Sequence, residues 1–203
     1  MSQFFQIHPD NPQGRLIHQS VEIIRRGGVI VYPTDSSYAL GCHIGDKTAM
    51  ERLSRIRKVS KRHNFTLVCR DLSEISTYAK VSNQHYRLMK SLSPGPYTFI
   101  LPATREVPRR LQNPKRKSIG LRVPDNAIVH ALLDELGEPM MSSTLILPDQ
   151  DSPMTEAEDI RDLLEHAVDL IIDGGHCGTE PTTVLDMCHD EIEVQRQGMG
   201  TYP

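Results

Sequence analysis

A β-branched and aromatic run, Val29-Ile30-Val31-Tyr32, stops at Pro33 and is followed at once by Thr34-Asp35-Ser36-Ser37. The run is short and apolar, so it reads as a buried strand, and it ends where proline cannot donate to a strand ladder. A rigid strand therefore delivers three hydroxyls and one carboxylate to its own end. In open α/β sheets, ligand crevices form where strands end, which makes this cluster a donor and acceptor set for a small polar ligand. A Ser/Thr or Asx turn between two strands accounts for the same residues equally well.

Around this stretch, helical and strand patterns alternate. Asn11-Pro12 offers a cap and a first helical position, and Leu16, Ile17, Val21, Ile23 and Ile24 lie on one stripe up to Gly27-Gly28, predicting a helix to about Arg26. Asp46 caps a second helix with Met50, Leu53 and Ile56 facing inward, and further helices are expected over Asp71–Tyr78, Ser82–Leu92, Asn126–Leu136 and Thr155–His166. Strands are expected after the Ser93-Pro94-Gly95-Pro96 turn, over Ser118–Pro124 and Pro139–Leu147, and again from Val168 into the Gly174-Gly175 turn. On a strand, Ser118, Gly120 and Arg122 point to one side, so a hydroxyl and a guanidinium share a surface with no side chain between them.

The 203 residues suit one domain covering the whole chain. The first twenty residues carry no secretory pattern and no run reaches a membrane span, so a soluble, cytoplasmic protein is expected. Cys42, Cys69, Cys177 and Cys188 show no Cys-x-x-Cys spacing, and reduced thiols with no metal site are the default. Neither a P-loop nor Gly-x-Gly-x-x-Gly is present. The net charge is −3, but residues 50–122 hold 17 Lys and Arg against four acids while residues 134–193 hold one Arg against 17 acids. That split predicts a face suited to phosphates, unless the two segments pair with each other in space.

Pro33-Thr34-Asp35-Ser36-Ser37-Tyr38-Ala39-Leu40-Gly41 resembles the Pro-Thr-Glu-Thr-x-Tyr-Gly-Leu-Gly signature of the YrdC-like family, whose best-known members make threonylcarbamoyl-adenylate from threonine, bicarbonate and ATP for tRNA modification. Further blocks follow in the family's order: Pro94-Gly95-Pro96-Tyr97-Thr98-Phe99-Ile100-Leu101, Ser118-Ile119-Gly120-Leu121-Arg122-Val123-Pro124, Thr182-Thr183-Val184-Leu185-Asp186, and Arg196-Gln197-Gly198. The pattern looks most like the YciO branch. It implies an α/β fold with a twisted, mixed parallel and antiparallel sheet, flanking helices and a large concave ligand surface. It also implies a threonine side formed by Ser36, Cys69, Arg122, Ser142 and Thr182, and a nucleotide side formed by Arg57, Lys58, Asn64, Ser118, Thr144, Ser152 and Arg196. ATP would bring Mg²⁺ if the protein is catalytic.

The chain departs from synthase members where they handle ATP. In the basic segment Arg57-Lys58-Val59-Ser60-Lys61-Arg62-His63-Asn64, Val59 stands in place of an Arg, Cys69 replaces a His, and Ile146 replaces an Asn. Weak or absent synthase turnover is the expectation, with Lys58 and Lys61 as substitutes should turnover prove robust. A non-catalytic module for double-stranded RNA or tRNA is the alternative, using the crowded cations Arg109, Arg110, Lys115, Arg116 and Lys117. No aromatic single-strand reading pattern accompanies them, and nothing points to a reader of DNA sequence.

Overall fold

The structure is a computed structural model and describes residues 1–59 and 64–202; the centre of the basic segment, with Lys61, lies outside the described residues. The strands are β1 (Gln3–Gln6), β2 (Ile30–Tyr32), β3 (Ala39–His43), β4 (Thr66–Val68), β5 (Tyr97–Pro102), β6 (Ser118–Arg122), β7 (Met140–Thr144), β8 (Leu170–Asp173), β9 (Thr183–Asp186) and β10 (Glu193–Arg196). They form one sheet in the order β1-β8-β2-β3-β7-β4-β6-β5-β9-β10. Its pairs are parallel at β1/β8, β2/β8, β4/β6 and β5/β9 and antiparallel elsewhere. The helices are α1 (Gly14–Arg25), α2 (Lys47–Ile56), α3 (Leu72–Tyr78), α4 (Asn83–Leu92), α5 (Ala127–Leu136) and α6 (Ala157–Leu164).

Strand alternation sorts the core onto two faces. Val29 and Val31 join Leu40, Leu53, Ile75, Met89 and Ile160 under α2, α3, α4 and α6, whereas Ile30 and Tyr32 join Val21, Ile24, Leu132 and Leu133 under α1 and α5. On this second face α1 and α5 cover only part of the sheet. Met140 and Val68 reach their packing, but two residues further along the same strands stand Ser142 and Thr66. The register continues that row from Ser142 through Thr66 and Gly120 to Ile100. The second face thus turns from packed and apolar to open and hydroxyl-bearing, and this change creates the concave surface.

Four helix caps follow the sequence expectation: the side chains of Asp46, Asp71, Ser82 and Asn126 accept from the backbone N–H groups of Ala49, Glu74, His85 and Val129. Gly137 closes α5 in the left-handed region at φ 77°, which a residue without Cβ adopts freely. Two starts differ. α1 begins at Gly14 rather than at Asn11-Pro12, because the Gln13 side chain accepts the His8 N–H and ties off the preceding loop. α6 begins at Ala157 without a side-chain cap, so Thr155 does not serve as one.

The charge split is partly undone by folding. Arg52–Asp169 at 2.8 Å, Arg70–Asp134 at 3.8 Å and Arg116–Asp186 at 2.6 Å each join the basic segment to the acidic one. Among the described residues no helix is long and apolar enough to cross a membrane.

Because one half of the second face is packed and the other open, substitutions on the two halves should differ sharply. Leu132→Ala should lower the unfolding free energy by about 2–5 kcal/mol, the range for a buried leucine. Thr66→Val, on the open half, should change it by less than about 1 kcal/mol. Urea titration of both variants checks the contrast, and equal costs would mean that the Thr66 face is packed.

Candidate functional site

The open half of the sheet floors a cavity of about 380 Å³. Ser37 and Ala39 border it on the β3 side, Ser142, Ser143, Thr144 and Ile146 along β7, Thr66 and Val68 on β4, and Ser118, Gly120 and Arg122 on β6. Thr98, Ile100, Thr182, Val184 and Arg196 close the far side, and Arg57, Asn64, Asn113 and Arg116 stand at the mouth. Ser118, Gly120 and Arg122 share the surface as period two requires. A Cβ at Gly120 would lie 3.2 Å from Thr66 Oγ1, so glycine keeps the floor low between the hydroxyl and the guanidinium.

The residues after Pro33 are both a turn and a part of the site. Thr34 Oγ1 accepts the N–H groups of Ser36 and Ser37 at 3.2 Å and donates to the Ser37 carbonyl at 2.6 Å, which is a Ser/Thr turn. That turn aims Asp35 and Ser36 at β6. Arg122 pairs with the Asp35 carboxylate and donates to Ser36 Oγ at 3.0 Å, while the other Asp35 oxygen accepts the Asp125 N–H at 3.0 Å. Both side chains of the pair are about nine-tenths buried, and Arg122 Nε has no hydrogen-bond partner among the described residues.

The remaining guanidiniums are held differently. Arg57 donates to Ser143 Oγ and, at 3.2 Å, to the Ile146 carbonyl, and burial lowers its pKa. Arg196 donates through Nε and one terminal nitrogen to the Thr182 carbonyl at 3.0 and 2.9 Å. Its pKa is lowered first by burial and then by the charge of Arg122. Arg116 pairs with Asp186, which is 2 % exposed. Beneath them, Thr98 and Thr182 hydroxyls meet at 2.9 Å, and Tyr32 reaches Ser142 at 2.6 Å, its phenol pushed up to about 12 by burial.

The fold therefore gathers Arg122, Ser142, Thr182, Arg57, Asn64, Ser118, Thr144 and Arg196 around one cavity, with Ser36 directly behind Arg122. Three expected residues are not brought there. Cys69 lies on the same side as Leu67, in the core under α2 and α3, is fully buried, and burial holds its thiol well above the ordinary range. The alternation that points Thr66 and Val68 into the cavity points Cys69 away. Lys58 is exposed at a positive φ of 48°, and Ser152 is exposed in the loop after β7; neither borders the cavity. Val59 packs against the core rather than facing the cavity, so of the two apolar replacements only Ile146 is exposed to a ligand.

Arg109, Arg110, Lys115 and Lys117 are exposed, with Arg110 donating to the Gly45 carbonyl. Arg116, expected to stand with them, turns to the cavity instead. Sequence reasoning also missed Asn113 and Ser143, which carry no distinguishing pattern, and Thr98, whose alternation in β5 was visible but read as architecture. Of the described residues no group of three or more His, Cys, Asp or Glu could hold a metal ion.

The uncharacterized protein YciO of Escherichia coli (strain K12) is 62% identical over 200 residues, which cover 98% of this chain and 97% of that protein. The crystal structure of E. coli YciO superposes with a TM-score of 0.96 over 99% of this chain and 98% of that one. The crystal structure of P. abyssi Sua5 complexed with L-threonine shares the fold at 22% identity, with a TM-score of 0.89 over 97% of this chain and 58% of that one. The profile of the Sua5/YciO/YrdC family, described as telomere recombination, matches residues 22–198, and the chain belongs to that family.

Proposed function

We propose that the cavity holds an amino-acid carboxylate at one end and a nucleotide phosphate at the other, and that the protein works in threonylcarbamoyl-nucleotide or tRNA N6-threonylcarbamoyladenosine chemistry. The observation that carries this reading is the charge balance of the wall. Asp35 compensates Arg122 and Asp186 compensates Arg116, whereas Arg57 and Arg196 meet only neutral oxygens among the described residues. One partly buried guanidinium, Arg57, and one exposed guanidinium, Arg196, both without carboxylates, favour a ligand bearing about two negative charges. Threonylcarbamoyl-adenylate, with one carboxylate charge and one charge on its acyl-phosphate group, has that count.

Geometry supports the same ligand. Arg122 and Ser118 stand at opposite ends of β6, roughly 13 Å apart at the rise of an extended strand. That separation suits an amino acid joined to a nucleotide. Threonine is favoured as the amino acid because the crystal structure of a fold relative, P. abyssi Sua5, is of a complex with L-threonine; the resemblance of Ser118–Pro124 to the family's strand assigns its carboxylate to Arg122. In the forward reaction the amine of threonine would attack the carbon of bicarbonate, forming a C–N bond with loss of water, and the resulting carbamate oxygen would attack the α-phosphorus of ATP with loss of pyrophosphate. Arg57 and Arg196 would stabilise phosphate charge and Arg122 would orient the carboxylate, so catalysis would rest on positioning and electrostatics. Asp35 and Asp186 are already paired with arginines, and no group of three or more His, Cys, Asp or Glu among the described residues could hold a metal ion, so Mg²⁺ would arrive with ATP rather than in a protein cage.

A second reading is favoured by one observation. Arg109, Arg110, Lys115 and Lys117 are exposed on the β5–β6 connection, whose neighbouring residues form the cavity mouth, and no carboxylate pairs with them among the described residues. Such a rim fits structured or double-stranded RNA through phosphate contacts, with or without catalysis.

Calorimetry with ATP and threonine tests the first reading. Arg57→Ala and Arg196→Ala should each weaken nucleotide binding, and Arg122→Ala should weaken threonine binding, by about 1.5–3 kcal/mol, the worth of a charge-assisted hydrogen bond. Unchanged affinities in folded variants would remove the anion reading.

Synthase turnover should be weak in the parent, because Ile146 offers the cavity no donor where synthase members carry an amide. Ile146→Asn should raise pyrophosphate release that depends on both threonine and bicarbonate, since one preorganised donor commonly changes turnover by about 10²–10³-fold. Robust release by the parent would show that another group meets the charge.

For the RNA rim, log affinity for a duplex should fall against log salt with a slope of about −0.9 per neutralised phosphate. Replacing Arg109, Arg110, Lys115 and Lys117 with Ala should flatten it. A parent affinity indifferent to salt would end the RNA reading.

A further inference from the structure

The geometry points to Arg116 as a phosphate contact of the cavity, with Asp186 as the positioning residue that holds its guanidinium over the floor. This inference rests on the phosphate reading above and moves Arg116 from the RNA-facing cations, where the sequence grouped it, to the cavity, with Asp186 as its partner.

Arg116 differs from the other cations of its loop. Arg109, Arg110, Lys115 and Lys117 are exposed and do not border the cavity, whereas Arg116 does. Its backbone is tied down just before β6. Asn113 Oδ1 accepts the N–H groups of Lys115 and Arg116 at 3.1 and 3.0 Å, the Asn113 N–H donates to the Ser118 carbonyl, and the Lys117 N–H donates back to the Asn113 carbonyl. A side chain rooted in so closely bonded a turn leaves from a defined point.

Its far end is defined as well. Asp186 is the last residue of β9 and sits opposite Ile100, the end of the floor row. One carboxylate oxygen accepts the Cys188 N–H at 3.1 Å, and the other is held to an Arg116 terminal nitrogen at 2.6 Å as an ion pair outside hydrogen-bond geometry. Burial pushes this carboxyl up, but the Cys188 N–H and the Arg116 guanidinium outweigh it and leave it below the usual range, so it stays ionised near neutral pH. A guanidinium presents five N–H donors in a planar fork, and one nitrogen at Asp186 leaves the others for a ligand. The Arg116 side chain keeps 42 % of its surface accessible, while Asp186 keeps 2 %. An anchored and accessible guanidinium is oriented before the ligand arrives, which lowers the ordering cost of binding.

The test is calorimetry with AMP and with adenosine, the same ligand with and without its phosphate. Arg116→Ala and Asp186→Asn should each weaken AMP binding by about 10–100-fold, the loss of one charge-assisted contact. Adenosine affinity should not change, and Arg116→Lys should recover part of the loss. The double variant should be no weaker than Arg116→Ala alone, because Asp186 acts through Arg116. If AMP and adenosine weaken together in both variants, the pair is structural and the inference fails. If Arg116→Ala binds AMP as the parent does while Arg57→Ala does not, the inference fails and the phosphate reading stands. A parent that does not prefer AMP to adenosine overturns both. Arg116 is at the surface, so its variant remains informative even should Asp186→Asn not fold.

Discussion

The buried pair between Arg122 and Asp35 is the contact on which the cavity depends. Asp35 comes from the turn after β2, Arg122 ends β6, and the second Asp35 oxygen holds Asp125 immediately before the Asn126 cap of α5. One carboxylate therefore joins a turn, a strand end and a helix start. Burying two charges costs desolvation that their attraction only partly offsets, so the pair is better understood as setting geometry than as a source of stability. Asp35 thus balances the charge of Arg122, whereas Arg57 and Arg196 meet no carboxylate among the described residues.

That polarity follows from what surrounds each arginine. Arg57 and Arg196 are held by carbonyl and hydroxyl oxygens, which fix their direction without cancelling their charge. Burial lowers the pKa of both, the expected sign for cations short of compensating charge. The floor beneath them is made of strand backbone, a glycine and hydroxyls, which let a ligand lie close to the sheet. The same strands a few residues away carry the apolar packing of α1 and α5, so stability and binding occupy neighbouring stretches of one surface.

The departures from the synthase pattern weigh differently once the side chains have places. Cys69 is core, and its substitution for histidine alters packing behind the sheet rather than the wall in front of it. Val59 is likewise packed inward. Ile146 does face the cavity, and its backbone carbonyl holds Arg57, so this position touches the cavity with its side chain and the Arg57 guanidinium with its main chain.

What the sequence determined by itself was local. The period of two in a strand put Ser118, Gly120 and Arg122 on one surface, side-chain caps started α2, α3, α4 and α5, and the Thr34 hydroxyl built its own turn, because each depends on residues within a few positions of one another. The motif order also indicated the mixed sheet and the residues that gather on it. Tertiary structure alone decided which partner each charge would take. Asp35 meets Arg122 across 87 residues, and Asp186 draws Arg116 away from its basic neighbours and into the cavity. A charge run in a sequence gives only a sum. Direction, burial and partner arise when strands distant in the chain become adjacent in the sheet, and those three decide whether an arginine is a surface cation, half of a neutral pair, or a cation held by neutral oxygens alone.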